Sequence, residues 1–159
     1  MIVRVRAPRT RTGREARRLR RSLAKMMETL APGTDLELSV SLVSDGEIAV
    51  LNQEHLGTAG PTDVLSFPLM TATEIAGVAQ RHLAGPEPVG DIVIGLQTAR
   101  RQAAERGVTA SDELELLAAH GLLHLFGYDH MFPAEAEEMA RQERMLLGRS
   151  IINEATGEG

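Results

Sequence analysis

The chain has 159 residues, 43% of them hydrophobic and 25% charged, which fits one globular domain able to bury its own core. It holds no cysteine, so disulfides and thiolate metal ligands are excluded, and any transition-metal site must be built from His, Asp and Glu. The net charge of −5 is unevenly spread: residues 1–25 hold ten basic side chains against one acidic, and the rest hold seven against twenty-one. An end this basic on an acidic body suits either an anionic partner or a solvated helix face.

Ile2, Val3 and Val5 predict a short first strand. Arginines alternate with these apolar residues, so no secretory signal peptide is read there, and the strand reading disfavours a transit peptide. Thr12-Gly13 opens a helix to about Leu30. Its Leu19, Leu23, Met26, Met27 and Leu30 recur at spacings of three and four, with arginines mostly on the other positions. Ala31-Pro32-Gly33 stops it. Leu36, Leu38, Val40 and Leu42 alternate with polar residues as a half-buried strand does. Ser44 and Glu47, three apart, predict a capping box for a helix through about Glu54. Gly60-Pro61-Thr62-Asp63 turns into a strand, Val64–Phe67, that Pro68 ends.

Residues 70–88 hold Gly77, Gly85, Pro86 and Pro88 and predict a long surface loop or loose hairpin. Asp91–Gly95 reads as a strand. Residues 96–106 and about 110–126 read as two helices separated by Gly107, and Ala134–Leu147 as a last one. Residues 153–159 predict a disordered tail, which leaves one domain over residues 1–152. The class expected is α/β of the α+β kind, a small mixed sheet packed against helices. Strand order is not legible. The longest uncharged run through the most apolar region, Leu116 to Tyr128, falls short of the roughly 18–20 residues that span a bilayer, so no membrane association is expected.

The segment that carries chemistry is His120-Gly-Leu-Leu-His124-Leu-Phe-Gly127-Tyr-Asp-His130. Four residues apart on a helix, His120 and His124 share one face, one turn apart. Gly127 allows the chain to leave the helix and bring His130 back to the same ion. Three nitrogen ligands leave a coordination position open, as catalytic zinc sites do. Asp129 could hold a ligand imidazole from behind or cap the preceding turn. The spacing follows the metzincin pattern His-Glu-x-x-His-x-x-Gly-x-x-His except that Gly121 stands where the general base would be. That argues against a standard peptidase. A substrate bringing its own nucleophile, such as RNA with its 2′-hydroxyl, escapes the objection.

These residues resemble the YbeY family of bacterial endoribonucleases. Residues 120–130 meet that family's His-Gly-x-Leu-His-Leu-x-Gly-Tyr-Asp-His in full, and residues 61–68 meet its Pro-Thr-Asp-Val-Leu-Ser-Phe-Pro in full. Gly90-Asp91-Ile92 and Asn52 match two further positions. The resemblance implies a zincin-like fold with the metal site at the end of a central helix. It implies one zinc per chain on His120, His124 and His130. It also implies cleavage of single-stranded ribosomal RNA in rRNA maturation and ribosome quality control, in the cytoplasm. The ribosome or its proteins are then expected partners, and DNA is not. One departure stands out: many members have an RNA-binding arginine four residues after the asparagine, and here that position is Leu56. His55, Arg81 or an arginine of the first helix are the replacements at hand. Two rival readings remain. One is a zinc hydrolase of a peptide or small molecule. The other is a non-enzymatic ribosome-assembly factor whose metal is structural, closed by a fourth ligand such as Asp129.

Overall fold

A computed structural model of the chain describes residues 1–8, 12–81 and 85–148. The strands β1 (Ile2–Arg6), β2 (Leu36–Val43), β3 (Val64–Pro68) and β4 (Glu87–Gly95) form one sheet in the order β1-β2-β4-β3. β1, β2 and β4 are parallel, and β3 runs antiparallel to β4. Six α-helices accompany them among the described residues: α1 (Gly13–Leu30), α2 (Asp45–Leu56), α3 (Ala72–Gly77), α4 (Leu96–Arg106), α5 (Ala110–Leu125) and α6 (Pro133–Leu147). This is the α/β class expected, with α5 as the central helix.

The alternation in β2 sends Leu36, Leu38, Val40 and Leu42 into the main core with Leu19, Leu23 and Met27 of α1 and Leu114 and Leu122 of α5. Each such leucine contributes about 1.5–3 kcal/mol by leaving water. Arg18 and Ser22 fasten α1 to α5: the Arg18 guanidinium donates to Asp112 at 2.9 Å and Glu115 at 3.0 Å, and the Ser22 hydroxyl to Glu115 at 2.6 Å. One arginine of the basic helix is therefore structural. The opposite face of the sheet is covered at one end only, where Ile48 of α2 meets Leu65 and Val93. Its remainder is polar and half-buried, with Ser39, Ser41 and Asp91.

Residues 70–88 depart from the expected loop. Thr71 and Glu74 close a reciprocal capping box, with Glu74 N–H donating to the Thr71 hydroxyl at 3.1 Å and Thr71 N–H to the Glu74 carboxylate at 2.8 Å. That box starts α3, which continues as a 3-10 turn, Val78–Gln80, and Ile75 and Val78 are buried. Two apolar anchors are too few to show a period in the sequence. β4 also starts earlier than expected, at Glu87, because its first residues pair with Leu36 and Glu37 across a register shift. Gly90 stands at φ +155°, and a Cβ there would lie 2.6 Å from the Phe67 carbonyl oxygen, so only glycine fits. The expected tail, 153–159, and the domain end at 152 lie outside the described residues. Among the described residues no helix is long and apolar enough to cross a membrane.

Candidate metal centre

Thr109 caps α5 by accepting from Asp112 N–H at 3.1 Å, and the helix then runs sixteen residues to Leu125. Its end is a Schellman turn: Gly127 N–H donates to the His124 carbonyl and Tyr128 N–H to the Leu123 carbonyl, both at 3.0 Å. Gly127 holds φ +95°, as its place in the motif predicted, and a Cβ there would sit 2.9 Å from the Ala72 Cβ. The turn reverses the chain and returns His130 to the helix.

One ring nitrogen from each of His120, His124 and His130 lies within 4.8 Å of the other two. His120 Nε2 and His124 Nε2 are 3.1 Å apart. Two nitrogens bound to one tetrahedral zinc at 2.0–2.1 Å stand about 3.3 Å apart, so the pair fits such an ion. Among the described residues no carboxylate joins this group. His130 is exposed and the other two are partly buried, which leaves the centre open to solvent on one side.

The other nitrogen of His120, Nδ1, lies 2.7 Å from the Glu143 carboxylate on α6. Donation of Nδ1–H to that carboxylate leaves the Nε2 lone pair facing the centre. Burial lowers the pKa of His124 below its usual value, and the neighbouring His120 and His130 lower it further. A hydrogen bond to the Tyr128 backbone and the Asp129 charge oppose them. The net effect favours the neutral imidazole that a metal needs. Asp129 Oδ1 accepts from the N–H of the residue after it, His130, at 2.7 Å.

The histidines floor a cleft of about 570 Å³ whose wall is β3 and whose rim carries Asn52 and Leu56 of α2. β3 is the edge strand, so one side of its backbone faces this space. Gly121 explains how α5 comes so near: a Cβ there would meet Ile92 at 3.0 Å, Ser66 Oγ at 3.1 Å and Val64 at 3.3 Å. A glutamate has no room in this packing. Ser66 instead donates its hydroxyl to the Gly121 carbonyl at 3.0 Å.

The second motif is largely structural. Buried Asn52 donates to the Gly60 carbonyl at 3.0 Å and so holds the loop before β3. Asp63 accepts from Val64 N–H at 2.8 Å and from the Gln102 amide at 3.3 Å. Leu56 is exposed at the cleft rim. Of the replacements for the missing arginine, His55 packs its ring edge-on to Phe67 at 4.9 Å and Arg81 donates to the Glu74 carbonyl. Neither lines the cleft. Glu143 was not legible in the sequence, since only packing of α6 on α5 brings it 23 residues back to His120.

Sheet, central helix and donor set together define an α/β protein with an open three-imidazole group able to hold a metal ion. Comparison with known proteins narrows the class. The sequence profile described as Endoribonuclease YbeY matches residues 7–150, and the chain belongs to that family. A Myxococcus xanthus protein named Endoribonuclease YbeY is 43% identical over 136 residues, covering 86% of this chain and 44% of its own length. Its namesake from Symbiobacterium thermophilum is 43% identical over 120 residues, 75% of each chain. The one from an Anaeromyxobacter species is 42% identical over 160 residues, all of this chain and 78% of its own. Among solved structures, the solution structure of TM1509 from Thermotoga maritima superposes with a TM-score of 0.58 at 28% identity, covering 96% of this chain and 93% of that one.

Proposed function

We propose that this chain is a zinc-dependent endoribonuclease that cuts single-stranded RNA in the maturation and quality control of ribosomal RNA, in the cytoplasm and in contact with the ribosome. The observation that carries the reading is the convergence of His120, His124 and His130 on the floor of a cleft edged by a free strand, in a chain of this family. The three histidines would bind one zinc, which when bound lowers the pKa of a coordinated water toward about 7 and polarises a phosphoryl oxygen. Glu143 holds His120 in the tautomer that presents Nε2. The edge of β3 and the α2 rim give an extended strand a wall to lie along. No carboxylate stands among the grouped ligand atoms of the described residues, and the packing around Gly121 leaves no room for one at that position. RNA, whose 2′-hydroxyl lies beside each phosphodiester, suits a site of that composition.

The test is bound zinc and RNA cleavage measured together for wild type and His124→Ala, on single-stranded RNA and on the matching DNA. One equivalent of zinc in wild type, with metal and RNA cleavage lost together in the variant and DNA spared, is expected. Zinc without RNA cleavage would turn the reading to an assembly factor. Absence of zinc from wild type would refute the ligand set.

A further inference from the structure

Three cavities around the sheet, the metal cleft first among them, share lining residues in series. Phe67 lines both the cleft and a second cavity of about 460 Å³ on the open sheet face, where Ser39, Ser41 and Asp91 present their side chains. Arg6 lines that second cavity and also a third, of about 560 Å³, between the β1 edge and α1. The third is walled by Arg4, Arg6, Arg17 and Arg20. Arg4 is paired with Glu37 at 2.7 Å, but among the described residues Arg6, Arg17 and Arg20 have no carboxylate partner. The path crosses the sheet from β3 to β1, three strand spacings or roughly 14 Å.

We propose that this series of cavities is the track of the RNA strand beyond the cut: over β3 at Phe67, across the open sheet face, and into the arginine groove, where phosphates are held. The inference rests on the endoribonuclease reading and deepens it. Charge orders the occupant along the path. Three guanidiniums at the far end, without a carboxylate partner among the described residues, match a run of phosphates. The serine hydroxyls in the middle offer donors and acceptors, and the Asp91 carboxylate accepts from base amino groups and 2′-hydroxyls while it repels phosphates, so this stretch suits bases and not backbone. His55 and Phe67, in edge-to-face contact at the crest, offer aromatic surface for a base to stack on. A charged groove with an aromatic platform is how single strands are gripped without sequence preference. The far groove also supplies the phosphate contacts that Leu56 cannot make at the cleft rim.

The experiment compares zinc-loaded wild type, Arg17→Gln/Arg20→Gln and, as a control with the same charge loss on α6, Arg141→Gln/Arg144→Gln. Binding of single-stranded 2′-O-methyl RNAs of about 4 and about 16 nucleotides, lengths that bracket single-strand sites on small folds, is followed against salt. For the longer strand, loss of two phosphate contacts should flatten the log–log salt slope by about 1.4 in the α1 variant and leave the control at wild type. The shorter strand should show a smaller change. Equal effects of the two variants, or an effect independent of strand length, would overturn the track. Wild type is also assayed for cleavage of unmodified RNA. If it cleaves RNA while the α1 variant keeps the wild-type slope, the track alone falls; if it cleaves none, the reading beneath it falls.

Discussion

Removing the Glu143 carboxylate tests whether the group behind His120 helps to hold the ion. The contact is short, 2.7 Å from Nδ1, and the carboxylate is mostly buried at 18% exposure, so water does not readily replace it. A hydrogen bond with one charged partner is worth about 1.5–3 kcal/mol. At about 1.4 kcal/mol per decade that range is roughly 10–100-fold in zinc affinity, the span seen when carboxylates behind metal-bound histidines are removed. Glu143→Ala should therefore bind zinc about 10–100-fold more weakly. Glu143→Gln keeps an acceptor without the charge and should lose less. Competition against a chromophoric chelator at neutral pH gives the affinities, and a thermal melt of the zinc-free protein separates loss of ligand orientation from loss of fold. Zinc affinity for Glu143→Ala within about threefold of wild type, with the fold intact, would refute the argument that this carboxylate orients the ligand.

Gly121→Ala gains about 1 kcal/mol of helix propensity but pushes a Cβ against Ile92, which is fully buried on β4 and cannot retreat. Overpacking of that kind costs about 1–3 kcal/mol, so a net loss near 1 kcal/mol and a fall of about 2–4 °C in melting temperature are expected; a raised melting temperature would contradict the packing. Acid should weaken the zinc-free fold through His124. Its folded-state pKa lies below the ordinary 6.5, so its contribution is present above 6.5 and is lost as pH falls through the folded value. Melts over a pH series should show that loss in wild type and less of it in His124→Gln.

Most elements were legible because their signals are local. The alternation over Leu36–Leu42 and the apolar stripe of α1 each act within a few residues and stand in the structure where their patterns put them, as does the Ser44 half of the capping box, its hydroxyl accepting from Glu47 N–H. The expected loop at 70–88 was misjudged because α3 is six residues long and is held by a cap and two buried side chains, not by a repeating face. Asp129 left two roles open in the sequence. In the structure its carboxylate accepts from the N–H of the next residue, and Glu143 stands behind His120.

The sequence alone determined that three imidazoles converge. A four-residue spacing on a helix puts His120 and His124 on one face, and a glycine at the helix end lets His130 return, so backbone geometry within eleven residues decides the matter. Tertiary structure alone decided what surrounds that group. The strand order places β3 at the edge beside α5, the packing of α6 brings Glu143 to His120, and the sheet's crowding at Gly121 shuts out a carboxylate there. The chain of cavities from Phe67 to Arg6 likewise joins residues far apart in sequence. Such neighbours are set by which apolar faces bury one another across the whole chain, and no local period records that choice.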